Sequence, residues 1–357
     1  MRSGQREAWC LPRFGSSRMR QPLSTGTRVV AGTVAALAVA ALANRYFARK
    51  AERDNPPQGR FMTVDGVRLH YIEKGEGPPL VLLHGNGAMI QDMTSSGLVD
   101  LAARHFRVIA FDRPGFGHSS RPRSGIWTPA AQADLMARAL TQLGISSASV
   151  LGHSWGASVA MHLALRHPAH VSSLVLASGY YFATPRPDVA VLGAPAVPGF
   201  GDLMVNTVSP LIGRLIWPAL IKLIFSPARI PGKFSAFPKS MALRPSQLRA
   251  SAAEIAFMIP SAFFSSSSYP DLSVPVTILC GAEDRFISPG QSKRLHRKIA
   301  HSRLRLVAGA GHMVHQTNPS AVLAAIIDTA QTATQIEERD AKARPVLALA
   351  AASAGPS

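Results

Sequence analysis

The stretch Val150-Leu151-Gly152-His153-Ser154-Trp155-Gly156-Ala157 decides the reading of this chain. An apolar, β-like run from Ala148 to Leu151 leads into it, and a helix-patterned run from Ala157 to Arg166 leads out. A serine between strand and helix, in small-x-Ser-x-small spacing, is expected on a tight turn that pushes its hydroxyl into the open. Gly152 and Gly156 fit that turn because a side chain would collide where strand and helix nearly touch. The helix N-terminus would then aim its free N–H groups at a charge developing beside the serine. An idle serine on a glycine-rich turn would be spelled with the same letters, so the rest of the chain has to supply the partners.

Working outward, apolar runs recur at strand length. Phe61 to Glu73 reads as a hairpin about Asp65-Gly66, with Val67 to Tyr71 alternating apolar and polar. Leu80 to Leu83 and Arg107 to Phe111 are continuous apolar runs, as expected of strands buried on both faces. The first ends in His84-Gly85-Asn86-Gly87, the second in Asp112-Arg113-Pro114-Gly115-Phe116-Gly117-His118-Ser119. Thr128-Pro129 forms an N-cap and first-turn pair opening a helix through Leu143. Further strands are read at Ser147–Leu151, Ser173–Ala177, Val276–Cys280 and Leu304–Val307, and a final helix at Pro319–Ile336. Strands alternating with helical segments predict an α/β domain over 61–336, built on a mainly parallel twisted sheet flanked by helices.

The alternation fails over 178–273. Ile212–Phe225 is helical and heavily apolar, Ile255–Phe264 is apolar too, and prolines divide the segment. Arg214, Pro218 and Lys222 interrupt any membrane-length run. The expectation is a helical lid over the carboxyl edge of the sheet, apolar beneath and suited to an apolar substrate or a lipid surface.

Formal net charge is +18. Residues 1–60 hold eleven Lys and Arg against Glu7, Glu52 and Asp54, so +8 of it sits in a basic leader. No nucleic-acid motif accompanies the remainder, which argues against nucleic acid as a partner. Met1–Arg28 reads as disordered. Val29–Ala43 is an apolar run that reaches membrane-span length if Arg45 snorkels and Tyr46, Phe47 and Ala48 lie in the interface, placing the segment at 29–48. The competing reading is a secretory signal cleaved after Ala41-Leu42-Ala43, which would leave a secreted or periplasmic protein; Met19 is an alternative start. Asn55-Pro56-Pro57-Gln58-Gly59 is a linker, and 337–357 reads as a disordered tail. The two cysteines, Cys10 and Cys280, suggest neither a disulfide nor a metal site, and nothing implies a cofactor.

Four blocks in order, His84 to Gly87, Asp112 to Ser119, Gly152 to Gly156, and Gly281 through Gly311-His312, resemble the α/β-hydrolase superfamily in its lid-bearing branch of esterases, carbon–carbon bond hydrolases and related enzymes. The resemblance covers roughly 61–336. It implies the α/β-hydrolase fold with a helical lid insertion.

An alcohol needs a base in reach, and the base an orienting acid, in chain order serine, acid, histidine. Within the resemblance, His312 in Gly309-Ala310-Gly311-His312 is the base; His315 is a local rival expected to cap or pack. Two acids follow the strand ending at Cys280. The resemblance places the family aspartate at Asp284, leaving Glu283 to solvent or Arg285. The oxyanion is expected to meet the backbone N–H groups of Trp155 and Asn86, with the Asn86 side chain left free for substrate or water. Asp112 is expected to cap its turn near Arg113 and His118, His84 to fix its loop, and His153 to pack. A serine at 154 does not suit the carboxylate-nucleophile chemistry of epoxide hydrolases and dehalogenases. The expectation is therefore ester hydrolysis through an acyl-enzyme on Ser154. Carbon–carbon cleavage and acyl transfer use the same triad; a non-catalytic binding protein would have no use for it.

Overall fold

In the computed structural model, residues 24–353 are described, with side chains described through 342; the early leader, Cys10 and Met19 lie outside them. Eight strands form one sheet: β1 (Arg60–Val64), β2 (Val67–Lys74), β3 (Pro79–Leu83), β4 (Arg107–Phe111), β5 (Ala148–His153), β6 (Val171–Ala177), β7 (Val276–Gly281) and β8 (Arg303–Val307). Their order is β1-β2-β4-β3-β5-β6-β7-β8. The first two pairings are antiparallel, and every pairing from β4–β3 to β7–β8 is parallel.

Local chemistry accounts for the elements. The β1–β2 hairpin closes with Val64 opposite Val67. Its two turn residues take positive φ, 49° at Asp65 and 76° at Gly66, the conformation a two-residue hairpin favours. Leu80 to Leu83 are fully buried because helices cover both faces of β3. Thr128 caps the helix Pro129–Gln142 by accepting from the Ala131 N–H at 3.2 Å. One core face packs helices Pro129–Gln142 and Trp155–Arg166 against β3, β5 and β6. The other packs Leu98–Ala102 and the start of the last helix against the same strands.

β3 has β4 on one side and β5 on the other, so chain direction across the sheet reverses there. Crevices for ligands open at the carboxyl ends of strands at such a reversal. The elbow serine, following β5, sits at that edge.

Between β6 and β7 the chain leaves the sheet for five helices: Pro187–Gly193, Phe200–Asn206, Ser209–Phe225, Lys239–Ala242 and Pro245–Ser265. The insertion thus falls where the strand alternation fails. Its last long helix starts at Pro245, earlier than the apolar run from Ile255 suggests, because a proline at a first turn is compatible with helix.

The N-terminal helix is Thr25–Asp54, and by length and composition it could cross a membrane, a test that signal sequences also pass. The last helix, Pro319–Ser353, runs into the stretch read as a loose tail; alanine-rich sequence favours helix there, and 354–357 lie outside the described residues.

Candidate active site

Ser154 occupies the turn between β5 and the helix Trp155–Arg166 with φ 54° and ψ −117°. A non-glycine residue pays for positive φ, so the neighbours must hold it there. A Cβ on Gly152 would lie 2.2 Å from the Gly156 carbonyl oxygen, and one on Gly156 would lie 2.2 Å from that of Leu83. Both glycines are therefore required by backbone approach, as the spacing predicts. The Ser154 N–H donates to the Ala177 carbonyl at 2.8 Å, fixing the elbow to β6.

Asp284 and His312 come together. His312 Nδ1 donates to Asp284 Oδ2 at 2.9 Å, and both residues are 4% exposed. The other carboxylate oxygen accepts from the Phe286 and Ile287 N–H groups, each at 2.9 Å. With its proton on Nδ1, the imidazole leaves Nε2 as the acceptor. Phe286 stands edge-on to the His312 ring at 5.0 Å. Glu283 is exposed, as expected, and forms no ion pair with Arg285 among the described residues; it accepts from the Gly309 N–H at 2.9 Å, bracing the loop before His312.

His153 does more than pack. Its Nε2 donates to the His312 carbonyl at 3.0 Å, tying the His312 loop to the elbow. Burial holds its pKa well below the usual histidine value, so it is neutral. His315 is buried and donates through Nε2 to Asp92 Oδ2 at 2.9 Å. Burial alone would raise the Asp92 carboxyl, but His315 and then the Gln316 amide bring it to about 2. Asp92, His153 and His315 bring ligand-type atoms within 4.8 Å of one another, a grouping that spacing does not reveal.

The loop after β3 is held from below and above. His84 donates through Nδ1 to the Gly85 carbonyl at 2.8 Å and accepts at Nε2 from the Arg113 N–H at 3.0 Å. Arg113 is fully buried; it donates to the carbonyls of His84 and Gly85 and pairs with Glu254 on the helix Pro245–Ser265. The Asn86 side chain is not free for substrate: Nδ2 donates to the Ser251 carbonyl and to Glu254 Oε2, both at 3.0 Å, because the inserted helix closes over it. Among the described residues, the backbone N–H groups of Asn86 and Trp155 have no intramolecular acceptor.

Asp112 accepts from the Ile90 N–H at 2.8 Å and the His118 N–H at 2.9 Å, the turn-capping role expected of it. Its further partner, His70 Nδ1 at 2.7 Å, comes from β2. Cys280 is buried and forms no disulfide among the described residues.

A family model described as the alpha/beta hydrolase fold matches residues 78–319, and the chain belongs to that family. The chain is 35% identical over 126 residues to the 2-hydroxymuconate semialdehyde hydrolase of Pseudomonas putida; the match covers 35% of this chain and 45% of that enzyme, so it spans less than half of the relative. It is 29% identical over 264 residues to the 2-hydroxy-6-oxo-2,4-heptadienoate hydrolase of Pseudomonas putida, covering 73% of this chain and 91% of that one. Among solved structures, a thermophilic esterase from Thermogutta terrifontis superposes with a TM-score of 0.65 at 21% identity, over 77% of this chain and 99% of that one; this similarity speaks to the fold.

Proposed function

We propose that this chain is a serine hydrolase that cleaves a carboxyl ester, or a related acyl bond, through an acyl-enzyme on Ser154. The observation that carries the reading is the 2.9 Å hydrogen bond from His312 to Asp284, the His312 loop being tied to the elbow by His153. In this reading His312 Nε2 takes the Ser154 proton as Oγ attacks the acyl carbon. Asp284 fixes the tautomer and stabilises the imidazolium. The N–H groups of Trp155 and Asn86 receive the oxyanion. The intermediate collapses when His312 returns the proton to the leaving alcohol; water then repeats the sequence on the acyl-enzyme and frees Ser154.

The inserted helices act as a lid. Phe286, Ile287, Tyr180, Met258 and Ala262 cluster beside His312 and suit an apolar acyl chain. The apolar run Val29–Ala43 anchors the protein in a membrane, with 44–48 at the interface; the alternative is its removal as a secretory signal.

A second reading, carbon–carbon cleavage of an acylated diketone, is favoured by the 29% identity to the heptadienoate hydrolase over most of both chains. Acyl transfer would use the same acyl-enzyme with an alcohol in place of water.

The test offers purified protein p-nitrophenyl esters graded in acyl length and, separately, a ring-fission diketone, and weighs the protein after quenching. Ester turnover with an acyl mass on the Ser154 peptide is the expected result. Diketone cleavage without ester turnover selects the second reading. Neither turnover nor an adduct rejects both.

A further inference from the structure

The helix Ser209–Phe225 buries one apolar face through Pro210, Gly213, Ile221 and Phe225. Its other face is apolar too, and bare: Leu211 is 57% exposed, Leu215 72% and Leu223 43%, with Ile212 and Ile216 alongside. A surface helix ordinarily turns charge outward, so an outward stripe this long marks an interaction surface.

The charge along this stretch of chain has one sign. Between Asp202 and Glu254 there is no acidic residue, while Arg214, Lys222, Arg229, Lys233, Lys239, Arg244 and Arg249 are all basic. Arg244 pairs with Glu52 and Arg249 with Asp202; the other five enter no ion pair among the described residues. An apolar stripe flanked by unpaired cations is complementary to an anionic lipid surface.

The position points the same way. Asn44 directly follows the apolar run Val29–Ala43 in one continuous helix. Its side chain donates to the Asn206 carbonyl at 2.9 Å and the Thr207 carbonyl at 2.7 Å, three and two residues ahead of Ser209. Arg214 lies over the Phe47 ring at 5.2 Å, and Phe47 and Tyr46 are themselves exposed. A run that enters a bilayer up to Ala43 brings Asn44 to the lipid–water boundary, where aromatic residues settle. The start of the helix is hydrogen-bonded to that level.

We propose that the outward face of Ser209–Phe225 docks on the anionic surface of the leaflet that the N-terminal helix enters. This rests on the membrane-anchor reading above. It makes the inserted segment a second, peripheral membrane contact.

The test uses the full chain with Cys10→Ser and one new cysteine, Leu215→Cys or Leu211→Cys, carrying an environment-sensitive fluorophore; buried Cys280 stays unlabelled. Glu76→Cys, on the turn before β3, is the control. The proteins are placed in vesicles of phosphatidylcholine and phosphatidylglycerol with brominated acyl chains. Docking predicts a blue shift and loss of emission at 211 and 215 but not at 76. Arg214→Glu with Lys222→Glu and Arg229→Glu should reverse both while the protein stays in the vesicles. Emission at 215 matching that at 76, in protein that resists an alkaline high-salt wash, overturns docking and leaves the anchor intact. Release by that wash instead rejects the anchor. A blue shift without bromine quenching, accompanied by cross-linking between copies, assigns the face to self-association and overturns the proposal.

Discussion

Asn86 donates through Nδ2 to Glu254 Oε2 at 3.0 Å, so the loop after β3 is tied by a side chain to the inserted helix above it. Glu254 is also the partner of buried Arg113, with Arg113 Nη2 at 3.1 Å from Oε2, and Gln132 donates to its other oxygen at 3.0 Å. One carboxylate therefore holds the insertion, the loop that would carry an oxyanion donor, and the strand end after β4.

Glu254→Ala leaves Arg113 charged and unpaired in the core, which costs on the order of 3–5 kcal/mol. Thermal unfolding should register a fall of that size. Ser251→Ala separates support from stability, since it removes the Ser251 Oγ hydrogen bond to Asn86 Oδ1 without stranding a charge. It should cost about 1 kcal/mol and lower kcat with KM little changed. An unaltered kcat in Ser251→Ala would show that this bond does not position the loop.

Asp284 and Glu283 are neighbours with different partners, His312 and the Gly309 N–H. Asp284→Asn should reduce kcat on the order of 10⁴-fold by favouring the wrong tautomer of His312. Glu283→Gln should retain most activity. Steady-state kinetics with one activated ester decides, and the reverse ranking would move the acid to Glu283.

Gly156→Ala places a methyl against the Leu83 carbonyl, and backbone cannot yield as a side chain does. The expected loss is about 3 kcal/mol, with activity falling because the elbow shifts. A variant with wild-type melting temperature and turnover would contradict the close approach of β3 and the elbow helix.

Acid stability follows from His84. Burial, and then the charge of Arg113, lowers its pKa from 6.5 to about 4. The unfolded chain binds this proton below 6.5 and the folded chain only below about 4. Stability is therefore lost as pH falls between those values, by about 3 kcal/mol from this residue. Buried neutral His153 acts in the same direction. The depressed Asp92 carboxyl adds stability above 3.8 that is lost only as pH falls from there toward 2, below this window. Melting temperature should drop steadily from pH 7 to pH 4.5; a flat profile would show that His84 titrates normally in the folded protein.

What was legible in the sequence is what local rules govern. The glycines about Ser154, the Asp65-Gly66 turn and the Thr128 cap each depend on residues a few positions apart. The glycine pair before His312 and the strand before Asp284, taken with the resemblance to the α/β-hydrolase superfamily, single out two side chains that the structure brings together. Illegible were pairings with no spacing signature. Arg113 and Glu254 are 141 positions apart, and Asp92 and His315 are 223 apart. In sequence Glu254 is one of a few acids in the insertion, and nothing near Asn86 marks its amide as occupied, because the helix that bonds it comes 165 residues later.

The most direct measurement is labelling by a fluorophosphonate, which bonds covalently only to an activated serine hydroxyl. Wild-type protein, Ser154→Ala and His312→Ala would be treated side by side, with folding checked by thermal melting. Labelling of wild type at Ser154, none of Ser154→Ala and a strong loss in His312→Ala are expected, with all three proteins melting cooperatively. Undiminished labelling of folded Ser154→Ala, or no labelling of folded wild type, would contradict the assignment of Ser154 as the nucleophile.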